Sequence, residues 1–155
     1  MKHSRTTVDV GGSPRIIRRL DDGNWPEFSS TDGNDLWIAG VSLLRLVDCC
    51  GTPCVHTVDE SSVVVTRVIG VSLAIDGSVI VTIDAELDGC RAELGGLRMI
   101  GRDSDSVLFR MLLRSAADES NPYLAKGLPA DLEPGDLIAI PCRGLTALHD
   151  IRVVS

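Results

Sequence analysis

Adjacent carboxylates at Asp118 and Glu119 could form an acid–base site. Such work near neutral pH needs one acid with a raised pKa, through burial or through the charge of its neighbour. Neighbouring residues on a strand point to opposite faces, so the two can share a site only in a loop. The competing reading is a pair of solvated loop acids. Cys54 and His56, two apart, fall on one face of a strand with Val58 and could begin a metal site. The other ligands are not evident, and zinc sites announce themselves by paired short spacings, so packing is preferred there. His149 precedes Asp150 and His3 lies near the start, and neither has a nucleophile at a telling distance. The run Cys49-Cys50-x-x-x-Cys54 does not match a Cys-x-x-Cys redox box. Gly95-Gly96 reads as a turn and not as a phosphate cradle, because no helix start with a glycine-rich signature follows. Amine chemistry has only Lys2 and Lys126 to draw on.

The elements that must position these groups belong to one domain's worth of chain, 155 residues, long enough to bury a core without metal or disulfide. The composition is 44% hydrophobic but 3% aromatic, so the core must be built from Val, Leu, Ile and Ala. A net charge of −7, from 22 acids against 15 bases, argues against nucleic-acid binding, which rests on neutralising phosphates. No apolar run is long enough to span a membrane, and the first residues lack the apolar core of a secretory signal. A cytoplasmic location is the expectation. The five cysteines, Cys49, Cys50, Cys54, Cys90 and Cys142, are odd in number and irregular in spacing, so they read as buried hydrophobes or free thiols.

Residues 1–34 read as a loosely ordered segment, with Arg15–Leu20 a short edge strand. A single β domain is expected over 35–155. Asp35–Ala39 reads as a strand. Ser42 can cap a helix with Leu43, Leu46, Val47 and Cys50 on one stripe, stopped by Gly51 and Pro53. From Val63 the pattern is β: a long Val- and Ile-rich strand to Ile75, with Gly70 marking a bend or bulge. An Asp76-Gly77 hairpin signal leads into Val79–Asp84. Further strands are expected at Leu97–Ile100, Val107–Leu113, Leu137–Ile140 after the Pro134-Gly135-Asp136 turn, and Asp150–Val154. The fold read from these residues is all-β, a barrel or sandwich with one short helix.

Two collinear stretches carry a family resemblance. Residues 36–59, LWIAGVSLLRLVDCCGTPCVHTVD, resemble the amino-terminal stretch of fold-type III pyridoxal-phosphate decarboxylases, with diaminopimelate decarboxylase the nearest kind. There a strand, a helix and a "yGTPlyVyD" strand lead into a (β/α)8 barrel. Here the chain passes through Glu60-Ser61-Ser62 into VVVTRVIGVSLAIDGSVIVTIDAELDGCRAELGG, similar to the segment that follows that barrel in the family. Asp118–Leu124 falls on the family's "C-E-S-x-D-x-L" box, and GLPADLEPGDLIAIPCRG on its "LP…GDlla…GAY" stretch. The resemblance implies the small Greek-key-like β-barrel that forms the carboxy-terminal domain of these decarboxylases and of alanine racemase, with the cofactor-carrying barrel absent.

What the resemblance implies about chemistry is mostly loss. The family's cofactor lysine, ring-stacking histidine and phosphate loop all lie in the missing barrel. Its catalytic cysteine falls on Asp118 and its neighbouring glutamate on Glu119. The aspartate of that box falls on Pro122 and the tyrosine near the cofactor on Thr146. Arg91 matches an arginine that holds a substrate carboxylate. Arg91, Thr146 and Cys142 are therefore the expected ligand-binding residues, Asp118 and Glu119 the expected catalytic ones, with no pyridoxal phosphate and no metal. Two functions are expected. One is a stand-alone small-molecule-binding barrel or cofactor-free cyclase, isomerase or hydratase, in bacterial specialised metabolism. The alternative is a pseudoenzyme that docks on a full-length decarboxylase. A homodimer or a hetero-complex is expected because removal of the barrel bares apolar β surface.

Overall fold

The computed structural model describes residues 4–8, 14–20, 25–116 and 122–152. Ser4–Val8 (β1), Pro14–Arg19 (β2), Ser29–Asp32 (β3), Asp35–Ile38 (β4) and Val41–Ser42 (β5) form an antiparallel meander in chain order. The β3–β4 hairpin sets Asp32 opposite Asp35, so this sheet runs through the expected boundary between 1–34 and 35–155. The stretch expected as an edge strand, β2, lies inside the sheet between β1 and β3.

A short helix, Leu43–Cys50 (α1), follows. Its start is fixed by a hydroxyl and a carboxylate together. The Ser42 hydroxyl accepts the Arg45 N–H at 3.2 Å and donates to Asp35 Oδ2 at 2.5 Å, while Asp35 Oδ1 accepts the Leu44 N–H at 3.2 Å. Two orphan donors of the first turn are thereby satisfied. Leu43 and Val47 are buried, whereas Cys50, expected on the same stripe, is exposed.

The larger sheet is built from Cys54–Val58 (β6), Ser61–Leu73 (β7), Val79–Ile83 (β8), Arg91–Ala92 (β9), Arg98–Ile100 (β10), Leu108–Ser115 (β11), Tyr123–Pro129 (β12) and Leu137–Arg143 (β13). Its strand order is β10-β13-β7-β8-β11-β12, with β6 added to β7 and β9 to β13. All pairings are antiparallel except β8 with β11. The sheet curls into a half-barrel, and the all-β architecture read from the sequence holds.

β7 and β13 form a wall shared by two cores. Val64 and Val68 face the interior of the curl with Ile138, Ile140, Val81, Ile83 and Leu113. Val63, Val65 and Ala139 face the other way, against Leu36, Ile38, Leu43 and Val47. Burial on both faces is why Val63-Val64-Val65 runs apolar without alternation. Each such side chain contributes roughly 1.5–3 kcal/mol relative to exposure. The bulge expected at Gly70 is present as a register shift between Val68 and Gly70. Gly135 takes φ +98 in the turn before β13 and donates its N–H to Val68 O at 2.8 Å, a left-handed conformation that glycine adopts at no steric cost.

One element differs in kind from its expectation. Asp150–Val154 was expected to be a strand, but Leu148–Ile151 (α2) is a single helical turn. Asp150 Oδ2 accepts the Ala147 N–H at 3.0 Å and closes it, and Ile151 is fully buried in the half-barrel interior. Arg152 then makes one antiparallel bridge to Ala85, and 153–155 lie outside the described residues. Among the described residues no helix is long and apolar enough to cross a membrane.

Candidate functional site

The expected catalytic acids, Asp118 and Glu119, lie outside the described residues. The expected ligand-binding residues gather near the end of β13 but face different ways. Arg91 is opposite Arg143, and Cys142 is opposite Ala92. Arg91 is exposed, and its neighbour Arg143 is ion-paired with Glu93. Cys142 is 3% exposed and belongs to the half-barrel core. Its thiol is pushed well up from the usual cysteine range by a hydrogen bond to Cys90 and by burial, which makes it an inert packing group. Thr146 is buried, with its N–H donating to the Ser62 hydroxyl at 2.9 Å, and that hydroxyl donates to Gly144 O at 2.8 Å. These bonds fasten the chain leaving β13 to the start of β7.

The interior of the curl is filled by Val64, Val68, Val81, Ile83, Met111 and Leu113. The accessible space lies elsewhere. β10 and β12 are the two ends of the strand order, and the half-barrel stays open between them. One bond crosses there, from the Lys126 N–H to Leu94 O at 3.3 Å. At this seam is a cleft of about 430 Å3, lined by Gly96, Arg98, Met99, Leu108, Lys126 and Gly127 among others. Arg98 and Lys126 are exposed, and among the described residues neither side chain has an ion-pair partner.

The wall of the cleft is braced by a charged cluster. Arg102 donates Nε to Asp136 Oδ1 and Nη2 to Asp136 Oδ2, both at 2.7 Å, and Nη1 to Asp131 Oδ2 at 3.2 Å. Asp136 also accepts the Glu133 N–H at 2.9 Å. Burial works against ionisation of Asp136, yet the Arg102 fork and the Glu133 N–H hold its carboxyl below the usual range. Arg102 is thus fully engaged, and the charges left to a ligand are Arg98 and Lys126, with exposed Asp103 also in the lining. Sequence reasoning weighed Lys126 only as an amine and missed Arg98, Arg102 and Asp136. The partners of Arg102 stand 29 and 34 residues away, a separation with no local signature.

The described residues do not fit pyridoxal phosphate. A cofactor lysine must be desolvated to work as an amine, and Lys126 is exposed on β12. His56, the one histidine on a described strand, holds Ile38 O at 3.1 Å through Nε2. Among the described residues no group of three or more His, Cys, Asp or Glu is placed to hold a metal.

No family model matches the chain, and no curated protein matches it. Two solved structures of the arginine decarboxylase of Paramecium bursaria Chlorella virus, one of them bound to agmatine, are similar to it with a TM-score of 0.38 and 17% identity. The similarity covers 59% of this chain and 28% of the viral enzyme's.

Proposed function

We propose that the chain is a small-molecule-binding half-barrel. On this reading it is a decarboxylase β-module, nearest in sequence pattern to the diaminopimelate type, in which the cofactor-carrying barrel is missing and pyridoxal-phosphate chemistry has been lost. The ligand is a small organic anion seated at the β10–β12 seam. The carrying observation is the cleft of about 430 Å3 lined by Arg98 of β10 and Lys126 of β12, neither of which has an ionic partner among the described residues. Its size is within the usual range for small-molecule sites. Arg98 offers a planar fork suited to a carboxylate, and Lys126 a mobile point charge. Met99 and Leu108 supply apolar surface for the rest of the molecule. Any catalysis on this reading comes from orientation of the bound molecule, which can lower a barrier without a nucleophile. The packed interior of the curl is not the binding site.

The test is an amide-resolved NMR titration of the full chain with short aliphatic and aromatic carboxylates, each beside its uncharged amide. Carboxylates are expected to shift Arg98, Met99, Lys126 and Gly127, and the amides to shift them far less. No saturable shift, or shifts confined to other regions, overturns the reading.

A further inference from the structure

Among the described residues, the longest strand leaves the far part of one edge without a partner. β7 pairs with β13 as far as Arg67 opposite Leu137, and the Val68 N–H and C=O are taken by Asp136 and Gly135 at 2.8 Å each. Beyond the bulge the other edge continues along β8, from Gly70 opposite Thr82 to Leu73 opposite Val79. Ala74 donates its N–H to Ser78 O at 2.8 Å on that same edge. Successive residues of a strand turn their N–H and C=O to opposite edges. The bond at Ala74 therefore sets Ser72 and Gly70 toward β8. It leaves the groups of Val71 and Leu73 on the open edge, where no described residue bonds them.

That edge is apolar as well as unpaired. Ile69, Val71, Leu73 and Ile75 are 47%, 39%, 73% and 110% exposed. From Val68 to Ile75 the sequence VIGVSLAI holds no charge and no proline, the residues that usually keep an open edge from pairing.

We propose that a second copy of this chain covers this edge, adding its own β7 antiparallel about a two-fold axis at Ser72. A two-fold contact must be self-complementary, and this one is. Val71 lies opposite the partner's Leu73, each presenting the donor and acceptor the other lacks, and Ser72 lies opposite the partner's Ser72. Charge favours the same face. At a net −7 the chain repels a copy of itself over most of its surface, but the edge is neutral. One strand edge is small against the roughly 800 Å2 per partner of a standard interface, so the dimer forms by mass action in the micromolar range.

Sedimentation velocity of the full chain from about 2 to about 200 μM tests this through the concentration dependence of the association. The wild-type coefficient is expected to rise toward that of a dimer. Val71→Pro removes an N–H that the monomer does not use, and proline is tolerated on such an edge. Leu73→Lys sets a charge opposite the partner's Val71, on an edge that is otherwise uncharged. Both are expected to stay monomeric across the range with an unchanged far-UV circular dichroism spectrum. If Val71→Pro fails to fold, Leu73→Lys decides alone. A wild-type chain that stays monomeric throughout, or folded variants that dimerise as well as wild type, overturns the proposal.

Discussion

Arg102 and Asp136 meet fork to fork, with Nε and Nη2 of the arginine each 2.7 Å from a separate oxygen of the carboxylate. The pair joins the loop after β10 to the turn before β13. Asp136 O, in turn, accepts the Val68 N–H at 2.8 Å. One residue, through its backbone carbonyl and its buried carboxylate, therefore fixes the end of the central wall and one side of the seam cleft.

Arg102→Ala is expected to destabilise the fold by about 2–3 kcal/mol at neutral pH, because it strands a buried carboxylate. The effect is pH-dependent with a definite sign. The folded Asp136 carboxyl is held below the ordinary value. Its contribution is thus complete above the unfolded pKa, about 3.9, and is lost as pH falls through the lower folded value. Urea unfolding of wild type and Arg102→Ala should show a wide gap at pH 7 that narrows below about pH 4. A gap of constant size would deny the carboxylate its role.

Thiol chemistry should separate the cysteines by environment. Cys49 and Cys50 are exposed, whereas Cys54 and Cys142 are buried. Burial, with Cys50 and Asp84 nearby, pushes the Cys54 thiol up to about 11, so it is almost wholly protonated at pH 8. Alkylation of the native chain at that pH, mapped by peptide mass spectrometry, is expected to modify Cys49 and Cys50 first. Cys54 and Cys142 should react only after denaturation, since the thiolate is the reacting species. Rapid labelling of Cys54 in the native chain would contradict the packing of the second core.

The large strands were legible because their signals are local. Val63–Ile75, the Asp76-Gly77 hairpin, the Ser42 cap and the Pro134-Gly135 turn all appear where residue type and spacing put them. β12 was missed because Tyr123–Pro129 carries Lys126 and Gly127 in its middle, and an edge strand needs only one apolar face. α2 was misread because Ile151-Arg152-Val153-Val154 has β composition, while the deciding contact is the Asp150 cap. The cleft was illegible for a different reason. Arg98 and Lys126 meet only because the half-barrel fails to close between their strands, and nothing local encodes which two strands are left unpaired.

The seam reading makes a claim about charge. Arg98→Ala and Lys126→Ala should each weaken carboxylate binding roughly tenfold, on the scale of one charge-assisted contact, without shifting the unfolding midpoint. Raising the salt concentration should weaken wild-type binding and leave the double variant nearly indifferent. Calorimetric titration with the tightest carboxylate from the NMR set provides the measurement. Affinity unchanged in both variants would remove the anion from the seam.

Asp84 binds three segments through one side chain. Oδ1 accepts the Thr66 hydroxyl at 2.7 Å and the Arg67 N–H at 2.9 Å, and Oδ2 accepts the Thr52 hydroxyl at 2.5 Å. Thr66 is fully buried in β7, and Thr52 lies between α1 and β6. The carboxylate thus ties the end of β8 to the wall and to the connection out of the smaller sheet. Thr66→Val removes one donor and keeps the shape, so about 1 kcal/mol is the expected loss. Asp84→Ala removes the common acceptor and leaves a buried hydroxyl and an N–H without it, for which about 2–4 kcal/mol is expected. Equal losses in the two variants, measured by urea unfolding, would mean that Thr66 alone matters and that Asp84 joins nothing.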